Sequence, residues 1–163
     1  EGDWSSDVCS SDLRKEELLI VKNVEYLEYV NKMTSDEILP GIKELLTFLK
    51  KEKVPFALGS ASKNAPLILK KVGLYDMFEA VVDGNDVSKA KPDPEVFLIA
   101  ASKLNKKPDQ CIVIEDALAG VQAANNAEMI SVAIGDKDLL YEADHNSPDT
   151  NELTIDFIKK LIA

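Results

Sequence analysis

The stretch Gln110–Ala124, "QCIVIEDALAGVQAA", decides how this chain is read. The apolar run Cys111–Ile114 ends on two adjacent carboxylates, Glu115 and Asp116, and passes directly into an alanine-rich segment of helical period. A short continuous apolar run is the pattern of a strand buried on both faces, and a strand that leads at once into a helix is the unit of a parallel α/β sheet. Three more runs of this kind occur, "VPFALG" (54–59), "EAVVDG" (79–84) and "ISVAIG" (130–135). Between the runs lie "KNAPLILKKVG" (63–73), "DPEVFLIAASKLN" (93–105) and "DALAGVQAANNAE" (116–128), each helical in period, with Gly73 where a helix carboxyl cap belongs. The fold class expected is a three-layer α/β/α protein with one parallel sheet. Upstream, residues 14–32 predict a helix, "TSDEILPG" (34–41) a linker, and "GIKELLTFLKKEK" (41–53) a further helix with Pro40 at its start.

Parallel sheets bind ligands outside the carboxyl ends of their strands. Ser60 follows the first run, Lys89 and Lys91 lie in the loop after the second, Glu115 and Asp116 end the third, and Asp136 follows the fourth. The polar residues therefore converge on one rim. The stretch "SASKNAP" (60–66) offers the Ser60 and Ser62 hydroxyls, the Lys63 ammonium and backbone N–H groups at a helix start, all of which attract an anion. Lys91, restricted to extended geometry by Pro92, can neutralise a phosphate as a point charge. Asp116 alone reads most simply as a helix N-cap. Glu115 needs a cationic partner if its strand end is buried. Magnesium, held by one or two carboxylates plus a phosphate, reconciles carboxylates with an anion in a single site.

At 163 residues and 45% hydrophobic the chain suffices for one full domain, and a formal charge of -10 with pI near 4.6 disfavours nucleic acid or an anionic membrane as a general partner. No apolar run approaches the roughly 18 residues of a membrane span and no export signal is visible, so a cytoplasmic location is expected. Cys9 and Cys111 lie far apart and the single histidine, His145, stands in a polar stretch read as a loop, which excludes a disulfide framework and a zinc site. Cys111 reads as a small core residue. The segment Asp3–Leu13, "DWSSDVCSSDL", matches the in-frame translation of a common sequencing-library adapter, so residues 1–13 are set aside as a non-native leader. They hold four acids and no base, so the charge changes from -10 to -6 without them.

Three segments, "LPGIKELLTFLKKEKVPFALGSASKN", "KAKPDPEVFLIAA" and "IVIEDALAGVQAANNA", resemble in order and spacing the second, third and fourth motifs of the haloacid dehalogenase superfamily of phosphotransferases. That resemblance implies a Rossmannoid parallel sheet core. Its implied domains are the end of a helical cap over 14–37 and an α/β core over 38–163 that lacks its first strand. The nucleophile of the superfamily is an aspartate in a "DxDG" motif at the end of that strand. No such motif occurs before Lys22, so the chain is expected to begin partway through the cap and, by itself, to be inactive and poorly folded.

By resemblance, Ser60 and the N–H of Ala61 would bind the phosphoryl group in transfer, Lys91 would bridge it to the nucleophile, and Glu115 with Asp116 would hold Mg2+. Ser62, Lys63 and Asn64 would bind the second phosphate of a bisphosphorylated sugar, and Lys22 and Asn23 would reach the substrate from the cap. "SASKN" resembles the sugar phosphate mutases of the superfamily more than its phosphatases. The activity so implied is conversion of β-glucose 1-phosphate to glucose 6-phosphate through an aspartyl phosphate and glucose 1,6-bisphosphate. Hydrolysis of a sugar phosphate is the alternative, and a non-catalytic binding module a third. The partner expected is a small sugar phosphate, bound by a monomer.

Overall fold

The computed structural model describes residues 25–162. The leader at 1–13, the first half of the upstream helix, Lys22 and Asn23 lie outside the described residues. Helix α1 occupies residues 25–32 and buries Val30. The linker after it is a 3-10 turn, Ser35–Glu37, in which the Thr34 hydroxyl accepts from the Asp36 N–H while the Glu37 carboxylate accepts from the Thr34 N–H. There follow α2 (Ile42–Lys51), β1 (Ala57–Gly59), α3 (Ala65–Lys71), β2 (Ala80–Val82), α4 (Glu95–Lys103), β3 (Ile112–Glu115), α5 (Leu118–Asn126), β4 (Ile130–Ile134), β5 (His145–Ser147) and α6 (Ile155–Ile162). Strand and helix alternate from β1 to β4 as the apolar runs predict.

Four helices end in the same way. The residue after the cap takes a left-handed conformation at Lys53, Gly73, Asn105 and Glu128. At each, the following N–H returns to a carbonyl five residues back: Val54 to Leu49, Leu74 to Leu69, Lys106 to Ala101 and Met129 to Ala124. Only Gly73 signals this by its residue type.

All strand pairs are parallel, so the carboxyl ends point the same way, and the described strands form two sheets, β1–β2 and β3–β4–β5, as a parallel core that lacks a strand would. Helices bind the two sheets into one body. On one face α4 and α5 contribute Val96, Phe97, Ala100, Ala123 and Ala124 to a cluster that takes Val82 from the first sheet and Val113 from the second. On the other face α2 sends Leu45 to Val132 and Leu46 toward Leu58 and Val81, while α6 adds Ile158.

The division into two sheets also corrects the expectation that every strand is buried on both faces. Strand β4, flanked on both edges, buries Ser131, Val132 and Ala133, whereas β1 is half-buried throughout and Ile114 of β3 is 38% exposed. Each of β1 and β3 has a hydrogen-bonded neighbour on one edge only among the described residues. His145 is corrected as well: it opens β5, pairing opposite Val132, with its ring edge-on to Phe157.

Candidate functional site

Ser60 continues the first sheet by one bond, its N–H donating to the Val82 carbonyl at 2.9 Å. The chain then turns through two short side-chain bridges. The Ser60 hydroxyl accepts from the Ser62 N–H at 3.1 Å, and the Ser62 hydroxyl accepts from the Asn64 N–H at 3.2 Å. Bonded N–H groups thus alternate with free ones, because Ala61 and Lys63 have no N–H acceptor among the described residues. Both hydroxyls, being donors as well as acceptors, keep a proton to give. This loop can cradle an anion through Ala61, Lys63 and the two serines. Lys63 is exposed, and Asn64 serves as backbone N-cap of the seven-residue α3 without a side-chain cap bond.

Lys91 joins the two sheets at their carboxyl ends. Its ammonium donates to the Gly59 carbonyl at 3.4 Å and pairs with Glu115 Oε1, over the Phe97 ring at 4.7 Å from the centroid. The side chains of the pair are 17% and 10% exposed, so it works in a medium far less screening than water. The Lys91–Pro92 peptide bond is cis. Glu95 pins the preceding loop: its carboxylate accepts from the N–H groups of Lys89 and Ser88, at 2.7 and 2.8 Å, and from the Ser88 hydroxyl. Those bonds, the one from Lys89 foremost, hold its carboxyl below the ordinary carboxylate range. Lys89 itself is exposed and paired with Asp93 at 3.2 Å.

Glu115 is therefore partnered as the sequence requires. Asp116 is exposed, and the N-cap of α5 is Ala117, so the carboxylate of Asp116 makes no cap. Two adjacent carboxylates supply the hard oxygen ligands that magnesium takes from protein, its remaining positions going to water and phosphate. Among the described residues no third His, Cys, Asp or Glu completes a cluster with them. The pair thus suits a cation finished by a phosphate rather than a closed structural site. Asp136 is spent on its own turn, accepting from the Asp138 N–H at 2.8 Å. Cys111 packs on the core with its thiol directed at the Lys107 carbonyl, and burial pushes that thiol up.

Sequence reasoning missed the residues that shape the site by lacking bulk or by packing beneath it. A Cβ on Gly84 would overlap the Ala61 carbonyl oxygen and meet Lys63 Cγ at 3.1 Å, so the end of β2 lies directly against the anion loop. A Cβ on Gly59 would meet the Phe97 ring at 3.1 Å. At Gly120 a Cβ would overlap the Glu115 carboxylate. Glycine inside a helix pattern is itself a signal, since alanine is preferred there unless space is required.

A family profile described as haloacid dehalogenase-like hydrolase matches residues 8–128, beginning inside the segment that the sequence reading sets aside. The β-phosphoglucomutase of Bacillus subtilis (strain 168) is 39% identical over 148 residues, 91% of this chain and 66% of that protein. The crystal structure of a β-phosphoglucomutase from Clostridium difficile superposes with a TM-score of 0.82 at 40% identity, covering 85% of this chain and 62% of that one. A phosphorylated carbohydrates phosphatase of Thermotoga maritima is 34% identical over 90 residues, 54% of this chain and 42% of the relative. The chain spans 66% or less of the length of each of these three relatives. Among the described residues no helix is long and apolar enough to cross a membrane.

Proposed function

The chain belongs to the haloacid dehalogenase-like hydrolase family, and from that premise we propose that it carries the phosphate-handling and cation-handling part of a sugar phosphate mutase converting β-glucose 1-phosphate to glucose 6-phosphate. The observation that carries this reading is the extent of likeness: a β-phosphoglucomutase matches across 91% of the chain, phosphatases of the family across 54% to 74% of it. On this reading the nucleophilic aspartate sits on a further strand between the edges of β1 and β3 that are unpaired among the described residues, supplied by sequence outside 38–163.

In the proposed reaction, the Ala61 N–H and the Ser60 hydroxyl hold the phosphoryl group being transferred. Lys91 lies beside it, neutralising charge between phosphate and nucleophile, with Glu115 and the Gly59 carbonyl fixing its ammonium. Glu115 and Asp116 would hold Mg2+, which when bound draws charge from the phosphoryl oxygens. The Ser62 hydroxyl, the Lys63 N–H and ammonium, and Asn64 grip the second phosphate of the bisphosphate, so the intermediate is kept rather than lost to water. Lys22 and Asn23 contact the sugar. Positioning and neutralisation are what phosphoryl transfer chiefly demands of a protein.

The test is to supply β-glucose 1-phosphate and Mg2+ to the full-length protein and follow glucose 6-phosphate and inorganic phosphate side by side. The mutase reading expects glucose 6-phosphate to form much faster. Phosphate release dominating across hexose phosphates would assign the chain to the sugar phosphate phosphatases instead, as its likeness to the T. maritima enzyme would then suggest.

A further inference from the structure

We infer that Gly120 is a positioning residue for Glu115: the missing side chain at this place in α5 is the seat in which the Glu115 carboxylate lies against Lys91. For its consequence in the reaction the inference rests on the proposed cation at Glu115 and Asp116; for its geometry it does not. The three atoms nearest to a Cβ built on Gly120 are the Cδ, Oε2 and Oε1 of Glu115, the last at 2.6 Å, and none belongs to backbone. Gly120 is buried in the first turn of α5, its N–H bonded to the Ala117 carbonyl at 2.9 Å. Its φ is not positive.

These facts remove the usual reasons for glycine. The backbone there is ordinary helix, in which alanine is the better residue. The first atoms that a methyl group would meet are not backbone. What a methyl group would displace is the end of one flexible side chain, and that side chain pairs with Lys91 through Oε1 and accepts the Asp116 N–H through Oε2 at 3.3 Å. Gly120→Ala should therefore leave the fold intact while swinging the Glu115 carboxylate off Lys91 and away from the cation position. Groups that orient a metal ligand typically change metal affinity by about 10- to 100-fold when altered.

The experiment compares wild type with Gly120→Ala in the full-length protein by three readouts: the urea unfolding midpoint, the Lys91 ammonium NMR resonance as reporter of the pair, and calorimetric titration with Mg2+ alone. The expected result is an unfolding midpoint lowered by no more than Lys91→Ala lowers it, loss of the paired Lys91 signal, and Mg2+ binding weakened about 10-fold or more. Retention of the paired signal in the alanine variant overturns the inference, whatever the metal does. So does a fall in the midpoint larger than that of Lys91→Ala, which would make Gly120 a backbone packing position. Should the pair be lost with stability kept while wild type binds no Mg2+, the positioning of Glu115 stands and the proposed cation site falls.

Discussion

The two strand ends that meet at Lys91 are built by different means. At the end of β1 the anion loop is shaped by backbone: alternate N–H groups are tied down by the Ser60 and Ser62 hydroxyls, and the loop rests on a glycine at the end of β2. At the end of β3 the site is made of side chains, a carboxylate held in a seat over Gly120 beside an exposed aspartate. An N–H cradle depends on chain path and tolerates change in side chains. A carboxylate pair depends on which side chains are present and where they point. Lys91 is the only described cation paired with Glu115, and it also touches the β1 end, so it is where the two constructions depend on each other.

Substituting Lys91 strikes both ends at once and should have the largest effect. Lys91→Ala leaves Glu115, whose side chain is 10% exposed, without its cation. The expected loss is about 3 kcal/mol in urea unfolding, as for other broken buried pairs, with a fall in turnover of about 100- to 1000-fold. A variant that keeps its stability would show that Lys91 does not couple the sheets.

Asp116→Ala separates the two ends. Exposed and capping nothing, Asp116 should be replaceable at a stability change under about 0.5 kcal/mol, whereas Mg2+-dependent turnover should vanish. A loss near 1 kcal/mol with turnover preserved would restore Asp116 as a helix cap.

At the β1 end the corresponding probe is Gly84→Ala, which sets a methyl group against the Ala61 carbonyl. Backbone cannot swing aside as a carboxylate can. The expected result is a destabilisation of about 1–3 kcal/mol together with a raised KM for sugar phosphate. At Gly120 the substitution should instead be read in the Lys91 signal and in Mg2+ binding, and equal behaviour of the two glycines would erase the distinction between the two ends.

The smallest effect is one of pH. The Glu95 carboxyl is held low by the N–H of Lys89 and then that of Ser88, so its contribution to ordering the Lys91 loop is fully present above its ordinary value of 4.5 and lost as pH falls through the lower folded value. Unfolding midpoints taken below pH 4.5 should fall more steeply for wild type than for Glu95→Gln. Parallel curves would remove Glu95 from the loop.

Most of the framework was legible in sequence because a strand buried by helices must be continuously apolar, and β1 to β4 are so apart from Ser131 and the terminal Glu115. Strand β5, "HNS", escaped because it is short and polar, with β4 as its only recorded neighbour. The helix ends at Lys53, Asn105 and Glu128 escaped because a left-handed residue need not be glycine when the following turn is well bonded. Ser60, Lys91 and Glu115 were legible because position at a strand end announces them. Gly84 and Phe97 were not, since what they contribute is space or a surface beneath another residue, which appears only when the chain is folded; Gly120, a glycine inside a helix pattern, signals that space is needed but not for which side chain. The strand order was not legible from the runs themselves, because apolar runs show that strands are covered but not which edges are paired.

On the proposed function, carboxylates and an anion share this rim because a cation lies between them. Titrating inorganic phosphate into the full-length protein with and without Mg2+ tests it most directly. The account predicts that Mg2+ tightens phosphate binding by about 10-fold or more, that phosphate tightens Mg2+ reciprocally, and that both effects disappear in Asp116→Ala. Phosphate binding with the same Kd in the presence and absence of Mg2+ would contradict it.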